Sequence, residues 1–414
     1  MYAIERKMAL SIALVFGLRM LGLFMILPII GFYTEIIPGA TPALIGWAVG
    51  IYGLSQAVCQ TLFGWLSDKL GRKNLILLGL ALFILGSVMA VFSNSIWGLI
   101  FARAVQGMGA IGAVLLAWLS DVTRPEVRTQ AMACVGITIG VSFGLAFILG
   151  PILDAYIGLQ GLFLLTAALG ILAFLWVKKL AEPKESEHYQ RIKPLNNNLF
   201  LISASASASA SASASDSLSI AKLLKSISGF AFGVFALHAL FTASFLFIPQ
   251  YVLQTTGLSA NQTWYVYLPA FLVSFLVVFP LARKTGNHNL AITKKLMQLA
   301  IIILSLSLAY LLWPGGAALF GLFMAMILFF SAFNFLEAFM PSALSRFVPA
   351  NQKGMALGVY STTQFLGIFC GGAMGGLIKQ YFTEISMVFF VLILGTLWFV
   401  TTFFLFYQQT ETQA

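Results

Sequence analysis

The chain has 414 residues, 60% of them hydrophobic and 9% charged, with a mean hydropathy of +0.95. That charged fraction excludes a water-soluble globule, in which about a quarter of residues carry charge. The formal net charge of +10 does not mark a nucleic-acid binder, because the basic residues cluster at the ends of apolar runs.

A helix that crosses a bilayer needs about 20 apolar residues at about 1.5 Å each. Twelve runs qualify: 8–33, 43–66, 74–92, 96–119, 130–153 and 159–178, then 228–252, 261–282, 293–313, 317–342, 354–378 and 385–407. An all-α membrane protein is expected. The N-terminal run has basic residues ahead of it, like a signal peptide. Arg19 interrupts it and no small-x-small cleavage site follows, so it reads as a retained first helix.

Between the two sets of six lies a polar segment, 180–226, with a strict Ser-Ala alternation from Ser203 to Ser215. Serine and alanine offer too little apolar surface to offset the entropy of ordering, so a flexible tether is expected. The domains expected are an N-terminal six-helix bundle (1–179), this cytoplasmic linker (180–226) and a C-terminal six-helix bundle (227–414). Lysine and arginine recur on alternate turns, at Arg6 and Lys7, Lys69 to Lys73, Arg124 and Arg128, the linker, Arg283 and Lys284, and Arg346 and Lys353. By the positive-inside rule those turns, both termini and the linker are cytoplasmic; Lys379 is the exception. Cys59, Cys134 and Cys370 lie inside the runs and are odd in number, so no disulfide framework is implied.

The turn between the second and third runs reads GWLSDKLGRK, Gly64 to Lys73. Gly64 and Asp68 share a helix face, and Gly71 suits the point where a helix stops. Asp68 and Asp121 end helices that run toward the cytoplasm, where the macrodipole disfavours negative charge. Arg72, Lys73 and Arg128 are candidates to compensate them. Gly64, Leu66, Asp68, Lys69, Gly71, Arg72 and Lys73 resemble the signature between the second and third helices of the major facilitator superfamily. Leu99, Arg103, Gln106, Gly107 and Gly109 resemble its fourth-helix signature, and Gly140, Gly144, Gly150 and Pro151 its fifth-helix antiporter motif, with Asp154 where that motif continues with glycine. The stretches RMLGLFMILP, NFLEAFMPS and GVYSTTQFLGIFCGG resemble the YajR-like branch of proton-driven drug antiporters. Some members of that branch carry a soluble C-terminal domain, and none is expected here.

The resemblance implies the major facilitator fold: twelve helices in two pseudo-symmetric six-helix bundles. It also implies that Asp68 docks on the N-terminus of the eleventh helix and latches the halves on the cytoplasmic side. A duplication is visible directly, since Pro125, Arg128 and Met132 have counterparts in Pro349, Lys353 and Met355. The Gly-x-Gly-x-x-Gly of Gly107, Gly109 and Gly112 follows no strand and reads as helix packing rather than a dinucleotide site.

Ionisable groups inside a membrane are costly and usually face a cavity. Glu337 is the one carboxylate well inside a run. It is either the proton-coupling group or a permanent partner for a buried arginine. His238 is a relay or a packing residue, while Arg103 and Arg19 either pair with the coupling carboxylate or make structural bonds. Gln56, Gln60, Asn334, Gln364 and Tyr265 are candidates to line a substrate cavity. No cofactor and no metal is implied.

The expected function is proton-coupled export of small amphipathic compounds across the bacterial inner membrane by a monomer in contact with lipid, without nucleic acid. The alternatives are a proton symporter importing a metabolite and a non-transporting membrane receptor. No nucleophile with a nearby base supports an enzyme.

Overall fold

The computed structural model describes residues 1–180, 214–285, 290–315, 318–348 and 352–412, and all twelve spans fall within them. In chain order they are α1 (Ala3–Phe24), α2 (Pro42–Leu70), α3 (Arg72–Val91), α4 (Ile96–Val122), α5 (125–157), α6 (159–179), α7 (Ala214–Ser244), α8 (Trp264–Thr285), α9 (Leu290–Leu311), α10 (Leu319–Phe347), α11 (Lys353–Tyr381) and α12 (Glu384–Thr412). The tether expected over 180–226 lies largely outside the described residues, and α7 begins twelve residues before its expected end.

Local chemistry sets the helix boundaries. Thr41 caps α2 by accepting from the Leu44 amide at 3.3 Å, with Pro42 in the first turn. Gly71, at φ 87°, makes the sharp corner between α2 and α3. Gly158, at φ 62°, separates α5 from α6.

The first helix of each half breaks at the same place. α1 ends at Phe24 and the chain passes through Pro28 into a 3-10 turn, Ile30–Thr34. α7 ends at Ser244 and resumes as Ile248–Thr256, with Pro249 in its first turn. Proline lacks the amide needed to continue a helix and fits a first turn, which explains both breaks. α4 is also interrupted, between Met108 and Gly112.

The spans pack as two groups, α1–α6 and α7–α12, that meet along α2–α11 and α5 against α7, α8 and α10. One side of the membrane carries the basic turns and is called the basic face here. The other carries Pro42, Asp154 and Gln380.

Candidate functional site

Glu337 on α10, His238 on α7 and Gln364 on α11 converge in the second bundle. The Gln364 amide nitrogen lies 2.8 Å from His238 Nε2 and donates to Glu337 Oε1 at 3.1 Å. His238 Nδ1 is 3.0 Å from the Val234 carbonyl, so that nitrogen carries the hydrogen and Nε2 is left to accept. Glu337 Oε2 is 3.6 Å from His238 Nε2 and has no hydrogen-bond partner among the described residues. The Glu337 side chain is 38% exposed and that of His238 8%. A carboxylate that open in the middle of a membrane helix is costly unless it faces a space between the bundles rather than lipid.

A cluster of rings spanning both bundles closes that space on the side away from the basic face. Phe143 of α5 stacks on Phe333 of α10, with centroids 5.8 Å apart, and Phe333 stacks on Phe241 of α7 at 4.7 Å. Phe147 meets Phe245 edge-on at 4.9 Å, and Phe271 of α8 lies 5.8 Å from Phe143. The His238 ring stands 6.0 Å from Phe333, so the polar trio lies directly beneath this aromatic plug.

Beside the plug, α2 and α11 touch backbone to backbone. A Cβ on Gly50 would stand 2.7 Å from the Phe369 carbonyl oxygen, one on Gly53 2.6 Å from that of Phe365, and one on Gly376 2.6 Å from that of Pro42. At the end of this seam Gln380 Oε1 accepts from the Ala43 amide at 3.1 Å, which satisfies an otherwise free donor of the α2 N-terminus. Toward the basic face the bundles part. Gly354 and Gly358 of α11, and Gly136 and Gly140 of α5, have nothing within 4 Å of a would-be Cβ. The chain is therefore shut on the far side and open on the basic face.

The charged turn fits that state. Arg72 pairs with Asp68 at 2.6 Å and with Asp121 at 3.0 Å, and it donates to Ser67 as well. One guanidinium thus compensates both carboxylates at the unfavourable helix ends. Lys73 donates to the Leu180 carbonyl at 2.6 Å, Lys69 lies 3.9 Å over the Trp65 ring, and Arg128 donates to the Ser120 carbonyl at 3.1 Å. Ser67 bonds the Gly64 carbonyl at 2.6 Å. Among the described residues no bond joins Asp68 or Asp121 to α11, whose first turn has no side-chain cap.

The first bundle holds two buried arginines around one tyrosine. Arg19, fully buried, donates to Tyr52 Oη at 2.8 Å and to Gln56 Oε1 at 2.6 Å. Arg103 lies 4.8 Å over the Tyr52 ring and donates to Gln106 at 2.5 Å and to the Ala48 carbonyl at 3.3 Å. The expectation that Arg103 pairs with the coupling carboxylate is not met: it is turned into its own bundle, whereas Glu337 sits in the other. Arg19 likewise meets no carboxylate among the described residues.

A match to the family model described as Major Facilitator Superfamily covers residues 12–314. The chain belongs to that superfamily. It is a membrane transporter of this superfamily and not an enzyme. It is 40% identical over 383 residues to the inner membrane transport protein YajR of Escherichia coli K12, covering 91% of this chain and 78% of that protein. It is 25% identical over 387 residues to multidrug resistance protein 2 of Bacillus subtilis, covering 91% and 90%. A crystal structure of a D-xylose-proton symporter superposes with a TM-score of 0.72 at 15% identity, covering 97% of each chain, which shows a shared major facilitator fold.

The remaining candidates scatter within this fold. Asn334 donates to Ser274 at 3.0 Å, tying α10 to α8, and Gln60 is buried beside Gln56. Tyr265 is half exposed, with its ring 4.3 Å from that of Trp264 at the outer end of α8. Gly144 receives the Phe271 ring and Gly150 the Met25 backbone, with Pro151 following inside the helix. Tyr52, Gln380 and the aromatic plug escape a sequence reading. Their partners lie on other helices, and aromatic residues that seal a gate look like those that face lipid.

Proposed function

We propose that this superfamily member is a proton-driven exporter of small amphipathic compounds in a bacterial inner membrane, working as a monomer. Both termini and the basic face are cytoplasmic, and the bundles 1–179 and 227–414 rock about the central space to alternate access. The observation that carries this reading is the trio of His238, Gln364 and Glu337. It places a titratable pair beneath an aromatic plug, open to the basic face.

A carboxyl so placed holds a proton when the site faces acid and loses it when a substrate or water arrives from the other side. The rings of the plug offer an apolar wall with a polar end, which suits amphipathic molecules. The names of the relatives agree with this reading: one is an inner membrane transport protein and one a multidrug resistance protein. Asp68 with Arg72, Asp121 and Arg128 is the latch that engages α11 when the basic face closes. In the present arrangement it is released.

The test uses inside-out vesicles with an acid interior. Addition of an amphipathic dye such as ethidium should draw protons out in the wild type and not in Glu337→Gln at equal expression. Full proton-coupled movement in that variant removes Glu337 from the mechanism. Exit of preloaded compound together with protons would instead make the carrier a symporter.

A further inference from the structure

α11 is a rod with bare backbone on two sides. Toward α2 it presents Gly372, Gly376 and the carbonyls of Phe365 and Phe369. Toward α7 it presents Gly367, Gly371 and Gly375, which rest on the backbone of Phe235, Ala239 and Ala243. Faces without side chains do not interdigitate, so they permit close approach while offering little resistance to sliding. Gln364 is the polar pin in this smooth rod. It reaches both halves of the titratable pair and is bonded in the chain to Phe365, whose carbonyl lies against Gly53 across the bundle boundary.

The two hydrogens of its amide point at two acceptors, the free Nε2 of a neutral imidazole and an oxygen of a carboxylate. This pattern requires a neutral imidazole and is kept whether Glu337 is a carboxylate or carries a proton on Oε2. A proton taken onto His238 Nε2, directly or by way of Glu337 Oε2 at 3.6 Å, turns that acceptor into a donor, and the amide N–H facing it loses its bond and meets like polarity. Two responses are open to the amide: turning to present its oxygen, or withdrawal together with the helix. Tyr360, one turn earlier on α11, has a buried hydroxyl unpartnered among the described residues that offers an acceptor to a displaced N–H.

We propose that Gln364 is the positioning residue that couples protonation of the His238–Glu337 pair to the seating of α11 against α2. The inference rests on the proton site proposed above. The titratable and charged groups around the pair are few. Tyr360 belongs to α11 and Tyr267 to α8; Asn334 and Ser274 bond each other. Arg19 and Arg103 of the facing bundle are held by Tyr52, Gln56 and Gln106. Lys294 and Lys295 lie near the basic-face start of α9, and Glu384 opens α12 at the far end.

The experiment measures the distance between spin labels at Ile36 and Tyr381, both exposed on the far side, in nanodiscs at acid and alkaline pH. The three native cysteines are replaced by serine for this purpose. The wild type should change its distance distribution with pH, and Gln364→Leu should lose that change while the Glu337 carboxyl still titrates by infrared spectroscopy. Gln364→Asn, shorter by one methylene, should shift the midpoint and keeps the test alive if the leucine variant fails to fold. A wild type indifferent to pH would remove the proton site and the inference together. A response that survives in both variants with its midpoint unchanged would overturn the inference alone.

Discussion

A Cβ placed on Gly53 of α2 would stand 2.6 Å from the carbonyl oxygen of Phe365 on α11, closer than real Cβ atoms come to any backbone. This seam therefore closes only while glycine lines it. Valine at Gly50 or Gly53 should hold the far side open. Overpacking of about 1–3 kcal/mol corresponds to roughly a 5- to 150-fold shift in the equilibrium between the two faces. Labels at Ile36 and Tyr381 should report a longer distance in Gly53→Val than in the wild type, and an unchanged distance would refute the seam as a gate.

Arg72 serves Asp68 and Asp121 together while the basic face is open. Asp68→Asn should remove the group that docks on α11 when that face closes, and so cut transport by about tenfold, the lower end of typical coupling energies. Its thermal stability should barely move, because a half-exposed ion pair contributes about 1 kcal/mol or less. A large fall in Tm with intact transport would make this turn a structural staple rather than a latch.

Arg19 is fully buried, with Nε and Nη1 unpartnered among the described residues and neutral partners on Nη2. A cation in low dielectric without a counter-ion costs stability, and replacing buried charge by an apolar side chain of similar size is often neutral or stabilising by about 1–4 kcal/mol. Arg19→Met should therefore keep or raise Tm in detergent while transport falls. A steep drop in Tm would show that its bonds to Tyr52 and Gln56 hold the bundle together and that its charge has no further use.

Glu5, buried at the start of α1, receives three bonds from Arg124: the side-chain Nε at 2.9 Å, Nη2 at 3.4 Å and the backbone amide at 3.2 Å. The bond to Glu5 is the main cause that holds the Arg124 guanidinium above its ordinary range, so the pair stays ionised on the arginine side at any working pH. Glu5→Gln should loosen the α4–α5 turn, seen as faster hydrogen exchange of the amides from Thr123 to Val127, with the spans themselves unaffected. Exchange unchanged there would remove the pinning role.

Hydropathy and the charged ends of runs make the spans legible, because a bilayer imposes length and composition on each helix separately. The turn Gly64 to Lys73 is legible for the same reason, its residues being neighbours in sequence. The site is not. His238, Glu337 and Gln364 come from three helices, and their meeting follows from how α7, α10 and α11 cross. Arg103 shows the cost of reading charge without geometry: a cation next to a carboxylate was the natural expectation, yet its side chain turns to Tyr52, Gln106 and the Ala48 carbonyl. The glycines of the α2–α11 seam carry spacing that fits helix packing in general and names no partner.

Infrared difference spectroscopy of the purified carrier between acid and alkaline pH tests most directly whether Glu337 takes up and releases a proton. The account predicts a carboxylic-acid C=O band that appears on acidification in the wild type, persists in Asp154→Asn and is absent from Glu337→Gln. The same band at full strength in Glu337→Gln would contradict it.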